Sequence, residues 1–226
     1  MKKVFFLLQE YSYSIIYPIL ALISLFYIPK VKHNPHAKKG TIVIVFCWFT
    51  PNIIHYKWVS YLERKGFRTY LINLPLLFED FPTTAKRLDR SLAHYKLKDY
   101  TLVGISTGAL VCLYYLHAYK KWNQIHKFIS IGGPLHGTPR ARLLSFVKKG
   151  RDMRPDSKFI KELMRIRIPT NKMVTLSIVY DELVPRDYSK VENGISYVLP
   201  IWGHNRFHLN SEKTYDLIAH LAESKK

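Results

Sequence analysis

Two glycines frame a serine in Gly104-Ile105-Ser106-Thr107-Gly108, which joins an apolar, strand-like run (Tyr100 to Val103) directly to a helical stretch (Ala109 to Tyr119). In that setting the pentapeptide marks a sharp strand-to-helix elbow: the serine occupies a strained turn, and its hydroxyl stands over the edge of a sheet. The glycines are needed because strand and helix pass so close that a Cβ would collide. Such an elbow requires a sheet whose strands are followed by helices. After residue 40 strand-like and helix-like stretches alternate without hairpin signals, so the expected fold is α/β, a mostly parallel sheet covered by helices on both faces. With 226 residues, 48% of them hydrophobic, the chain can bury one sizeable core. A single catalytic domain over 40–226 is the economical organisation.

A serine on an elbow becomes a nucleophile only when a base takes its proton and an acid orients that base. On this kind of sheet the acid and then the histidine follow the serine, each on a loop after a later strand. Lys172 to Tyr180 reads as a buried strand ending at Asp181, ahead of Glu182-Leu183-Val184-Pro185. Asp181 is therefore the candidate acid; an ordinary solvated loop carboxylate is the alternative. The next strand, Ile195 to Pro200, leads into Trp202-Gly203-His204-Asn205-Arg206-Phe207-His208, and Ser211 opens a C-terminal helix through Leu221. His204, after a glycine at a loop apex, is the candidate base, with His208 as the alternative. His33, His36, His55, His94, His117, His126, His136 and His220 lie on no matching loop and read as surface residues. No His or Cys spacing suggests zinc, and no cofactor is expected.

With these residues in place the chain resembles the lipase and esterase branch of the α/β-hydrolase family, notably the small bacterial lipases. The resemblance spans residues 41 to about 222. Phe128 to Thr138 looks like the family's strand and Gly-Thr-Pro-His-x-Gly-Thr loop, with Gly133 and Leu135 in place of Thr and His. Asp181-x-x-Val184-Pro185 is similar to its acid segment, and Gly203-His204 to its histidine loop. The resemblance implies Ser106 as nucleophile, Asp181 as orienting acid and His204 as base, cleaving carboxylic esters, in particular lipid esters, through an acyl-enzyme. The family's oxyanion loop follows the strand Gly40 to Val45, where Phe46-Cys47-Trp48-Phe49-Thr50-Pro51-Asn52 replaces the usual His-Gly. The backbone N–H groups of Thr107 and Trp48 are the expected oxyanion donors. An acyltransferase or thioesterase would use the same machinery. A catalytically silent hydrolase fold that binds membranes is the reading from another class, and the altered oxyanion loop is its support.

Charge is the remaining signal. The formal net charge is +19 with a pI near 9.9. From Arg140 to Arg167 ten Lys and Arg face three acids, around the apolar strip Leu143-Leu144-Ser145-Phe146-Val147. This insert, 139–170, is the expected lid, and its charge suits an anionic membrane surface. No motif or stacking array points to nucleic acid. Residues 1–39 differ in character: Tyr11 to Pro29 contains nineteen uncharged residues, ahead of a basic flank. That length approaches the roughly 30 Å of a bilayer core, so an N-terminal hydrophobic helix serving as anchor is expected, with a cleaved signal or an interfacial segment as alternatives. The flanking charges and the two cysteines, Cys47 and Cys112, read as buried thiols, favour a cytoplasmic catalytic domain. Oligomeric state is not readable.

Overall fold

The computed structural model describes Ser12, Ile16 and residues 36–47, 52–74, 79–209 and 211–223. The expected anchor over residues 1–39 falls almost wholly outside them. Among the described residues no helix is long and apolar enough to cross a membrane.

Six strands form one sheet: β1 (Thr41–Cys47), β2 (Arg68–Leu74), β3 (Tyr100–Ile105), β4 (Ile125–Ile131), β5 (Met173–Tyr180) and β6 (Ile195–Trp202). Every neighbouring pair is parallel, in the order β2-β1-β3-β4-β5-β6. The crossovers are α1 (Asn52–Arg64), α2 (Phe81–Tyr95), α3 (Thr107–Ala118), then α4 (Lys148–Asp152) and α5 (Lys158–Met164); α6 (His204–Leu209) and α7 (Glu212–Ala222) follow β6. The first crossover places β2 on one side of β1, and the next returns β3 to the other side. The carboxyl ends of β1 and β3 therefore flank the point where strand order reverses, the usual place for a site in an open α/β sheet.

Alternation along β1 explains why both faces are covered. Ile42, Ile44 and Phe46 join Trp58 and Leu62 of α1 and Phe207, Ile218 and Leu221 of the C-terminal helices in one apolar layer. Val43 and Val45 join Leu88 of α2 and Leu110 and Leu113 of α3 in the other. A strand buried on both faces reads as an unbroken apolar run, which is what Thr41–Cys47 is. α3 is apolar nearly all round, with nine of its twelve residues buried, and so forms the central helix rather than a surface one. α2 is amphipathic: Asp80 caps it by accepting from the Thr83 N–H at 2.9 Å, and Lys96 ends it in the left-handed conformation.

Two expectations need adjusting. β3 runs to Ile105 rather than Val103, because Gly104 is itself paired with Val45 and Ser130 on either side. His55 is not a surface residue: it is 1% exposed in α1, its ring 4.0 Å from that of Phe46, with neither ring nitrogen hydrogen-bonded among the described residues. Complete desolvation lowers its pKa to about 3, so the ring is neutral.

Candidate active site

β3 delivers Ser106 to the elbow, with φ 51° and ψ −125°, a conformation that costs a non-glycine residue about 1–3 kcal/mol. Two bonds hold the turn: the Ser106 N–H donates to the Ile131 carbonyl at 2.8 Å, and the Ala109 N–H to the Ser106 carbonyl at 2.9 Å. The flanking glycines are a matter of space. A Cβ on Gly104 would lie 2.6 Å from the Ala109 Cα, and one on Gly108 would lie 2.5 Å from the Val45 carbonyl oxygen. Strand, helix and β1 thus approach as the pentapeptide requires. Gly133, where the resembled loop carries threonine, packs beneath the same elbow, and a Cβ there would run into Ala109 Cβ and Ser130 Oγ. Leu135, in place of that loop's histidine, is fully buried in the core.

β5 ends at Tyr180, so Asp181 leads the next loop, as the sequence suggests. Its Oδ1 accepts from the N–H groups of Leu183 at 3.0 Å and Val184 at 2.7 Å, which fixes the carboxylate. The other oxygen, Oδ2, lies 2.8 Å from His204 Nδ1, and His204 Nε2 lies 3.0 Å from Ser106 Oγ. The structure therefore brings Ser106, His204 and Asp181 into one hydrogen-bonded series, Asp181 and His204 buried and Ser106 half-buried at the mouth. His204 is not at a loop apex. It is the first residue of α6, and Gly203 ahead of it takes φ +97° to turn strand into helix. The side chain of His208 lies outside the described residues.

Thr107 is the first residue of α3 and offers a backbone N–H that the helix does not use. Its hydroxyl approaches Met153 Sδ at 3.5 Å, which sets the insert against the elbow. Trp48, the other expected oxyanion donor, lies outside the described residues. No group of His, Cys, Asp and Glu among the described residues could hold a metal ion.

The insert after Gly137 is tied to the acid loop. The Thr138 hydroxyl donates to the Leu183 carbonyl and the Arg140 Nε–H to the Glu182 carbonyl at 3.1 Å, and just ahead of the insert the His136 N–H donates to the Tyr188 carbonyl at 2.9 Å. Its far side is tied to α2: Lys148 pairs with Asp80 at 2.7 Å, and Lys149 donates to Thr84 Oγ1 at 2.9 Å. Lys149 is fully buried, its ammonium over the Phe81 ring, and so leaves the basic surface to which its charge assigns it. The Lys148 ammonium, with the Thr83 hydrogen bonds, holds the Asp80 carboxyl down at about 2. Between these anchors Leu143 and Phe146 stand out into solvent, 77% and 73% exposed.

Sequence reasoning passed over Glu182. Its carboxylate accepts the His204 backbone N–H, at 3.0 Å to Oε2 and 3.3 Å to Oε1. A contact across twenty-two positions leaves no local sequence signal, except that an acid directly follows the candidate acid.

Residues 79–166 match the model of the lecithin:cholesterol acyltransferase family. No curated protein sequence matches the chain. Among solved structures, the mature lipase BlEst2 of Bacillus licheniformis superimposes with a TM-score of 0.69 at 15% identity, covering 87% of this chain and 96% of the lipase. The esterase EaEST of Exiguobacterium antarcticum gives 0.65 at 15% identity over 83% and 93%. The RedJ thioesterase of the Streptomyces coelicolor prodiginine pathway gives 0.54 at 14% identity over 87% and 89%. At these identities the likeness is one of fold.

Proposed function

We propose that this chain, which has the α/β-hydrolase fold of those lipases and esterases, is a serine hydrolase of carboxylic esters. The observation that carries the reading is the series Ser106 Oγ, His204 Nε2, His204 Nδ1, Asp181 Oδ2, with separations of 3.0 and 2.8 Å. Ser106 Oγ attacks the ester carbonyl carbon while His204 Nε2 takes its proton, and Asp181 accepts from Nδ1–H and stabilises the imidazolium. The oxyanion lies against the Thr107 N–H and a second N–H expected from Trp48, each such donor contributing about 3 kcal/mol. Collapse of the intermediate breaks the acyl–oxygen bond, His204 returns the proton to the departing alcohol, and a water deprotonated by His204 releases the acid. A thiol leaving group, or an alcohol in place of water, would use the same atoms.

Lipid esters are the substrate class we favour, because the matched family is named for acyl transfer from lecithin to cholesterol. Leu143 and Phe146, presented by a basic insert hydrogen-bonded to the acid loop, support an anionic lipid surface as the place of action. The deciding experiment for the chemistry is labelling with a fluorophosphonate, which reacts with an activated serine and not with an ordinary hydroxyl. Wild type should label, and Ser106→Ala and His204→Ala should not. A well-folded wild type that stays unlabelled even with anionic micelles would overturn the hydrolase reading in favour of a binding module.

A further inference from the structure

Two carboxylates, not one, hold the histidine. Tyr180, Asp181 and Glu182 are consecutive at the end of β5, and each receives a bond from the Gly203-His204 corner. The Gly203 N–H donates to the Tyr180 carbonyl at 3.0 Å, the His204 ring meets Asp181 Oδ2 at 2.8 Å, and the His204 backbone N–H donates to the Glu182 carboxylate at 3.0 Å. The last bond falls on an N–H that a helix start leaves without an intrahelical partner. A charged acceptor makes such a bond about twice as strong as a neutral one.

We infer that Glu182 is a positioning residue for the base: its carboxylate fixes the backbone of His204 so that one ring faces both Asp181 and Ser106. The geometry explains why the fixation is needed. Gly203, at φ +97°, turns β6 into α6 immediately before His204, its N–H on the Tyr180 carbonyl and its carbonyl accepting from the Phe207 N–H, and Asp181 holds only one end of the ring. A shift of the backbone at His204 itself, which the bonds at Gly203 do not fix, would carry Nε2 away from Ser106 Oγ, 3.0 Å distant. Glu182 removes this freedom from the backbone side. The loop that carries it is itself clamped from the insert, by the Arg140 Nε–H on its carbonyl and the Thr138 hydroxyl on that of Leu183. The insert, the acid loop and the histidine corner thus form one connected unit. Glu182 also brings a second carboxylate to the His204 corner.

This inference rests on the hydrolase reading, and its test keeps the two apart. The pH dependence of the fluorophosphonate labelling rate should be measured for wild type, Glu182→Gln and Glu182→Ala. Glu182→Gln keeps an acceptor for the His204 N–H but loses the charge. It should label within about threefold of wild type, with the acidic limb of the profile moved to lower pH by roughly half a unit as the imidazolium loses a neighbouring carboxylate. Glu182→Ala loses the acceptor as well and should label roughly ten to a hundredfold more slowly, with a melting temperature only about 2–4 °C lower as the His204 N–H loses its partner. A wild type that fails to label defeats the hydrolase reading. The His204 ring titration, followed by NMR in wild type and Glu182→Gln, then still reads the charge effect. Wild-type labelling by Glu182→Ala, or an unmoved His204 titration in Glu182→Gln, would overturn the role of Glu182.

Discussion

His204 and His208 are four residues apart, and the sequence alone separates them only by the glycine that precedes the first. The structure places the His204 ring between Asp181 and Ser106, each within hydrogen-bonding distance. Removing a base from such a series costs roughly 10⁴-fold or more in turnover of an ester, so His204→Ala should be inert, whereas His208→Ala should keep most of the activity. The reverse pattern in a p-nitrophenyl ester assay would move the base to His208. Ser106, Asp181 and His204, which the structure places in contact, were legible as candidates because each sits beside a local landmark: an elbow, a strand end, a glycine turn. Glu182 was not, because its partner is set by where two strand ends meet. His55 was misread as a surface residue for a related reason, since only the packing of α1 on β1 shows that its ring lies against Phe46. Its burial carries a pH consequence. The folded-state pKa, near 3, is depressed below the ordinary 6.5, so the unfolded chain binds a proton that the native one refuses, and stability falls as pH drops from about 6.5 towards 3. Between pH 7.5 and 5 that loss is about 2 kcal/mol. Urea unfolding at the two pH values should show wild type losing about that much more than His55→Leu; equal losses would place a protonated or hydrated ring at this position.

At the scale of elements, the strands were the most legible part, because those covered on both faces are mainly apolar, with small hydroxyl residues such as Thr101, Ser130 and Thr175 among the few buried polar side chains. Their ends were less so. β3 absorbed the first glycine of the elbow, and β6, an edge strand that can accommodate Pro200, extends to Trp202. The insert shows the limit of reading charge as surface. Lys148 and Lys149 are adjacent and chemically alike, yet one pairs with Asp80 at the surface while the other is buried on Thr84 and the Phe81 ring. Asp80 consequently serves two elements, capping α2 through Oδ1 and holding α4 through Oδ2. Asp80→Ala should cost about 1–2 kcal/mol, most of it the lost cap, since an ion pair as exposed as this one contributes little. Asp80→Asn keeps a capping oxygen and should cost about half as much. Denaturant midpoints for the two variants check the ordering, and an equal cost would assign the effect to the ion pair instead.

Over the whole molecule, charge and apolar exposure would make separable contributions to the anionic-surface binding proposed above. The net charge of +19 is a long-range attraction for any anionic surface, and it is screened by salt over about 10 Å at 0.1 M. Leu143 and Phe146 act only at contact, and their exposure is built in: Arg151 donates to the Ser145 carbonyl at 3.0 Å, and Gly150 is packed so closely on Leu144 that it has no room for a side chain. A rigid tip that holds two large apolar side chains in water has a cost that a lipid surface would recover. Vesicle co-sedimentation tests the division. Binding to vesicles containing phosphatidylglycerol should weaken steeply between 0.1 and 0.5 M salt for wild type and for Leu143→Ser/Phe146→Ser alike, because the charge is unchanged. At any one salt concentration the double variant should bind at least tenfold more weakly, since two buried side chains of this size contribute about 1.5–3 kcal/mol each. Its labelling by fluorophosphonate in free solution should match wild type, as neither side chain touches the Ser106 series. Undiminished binding by the double variant would mean that charge alone, or another part of the chain, meets the surface, and the insert would then be a structural brace between α2 and the acid loop.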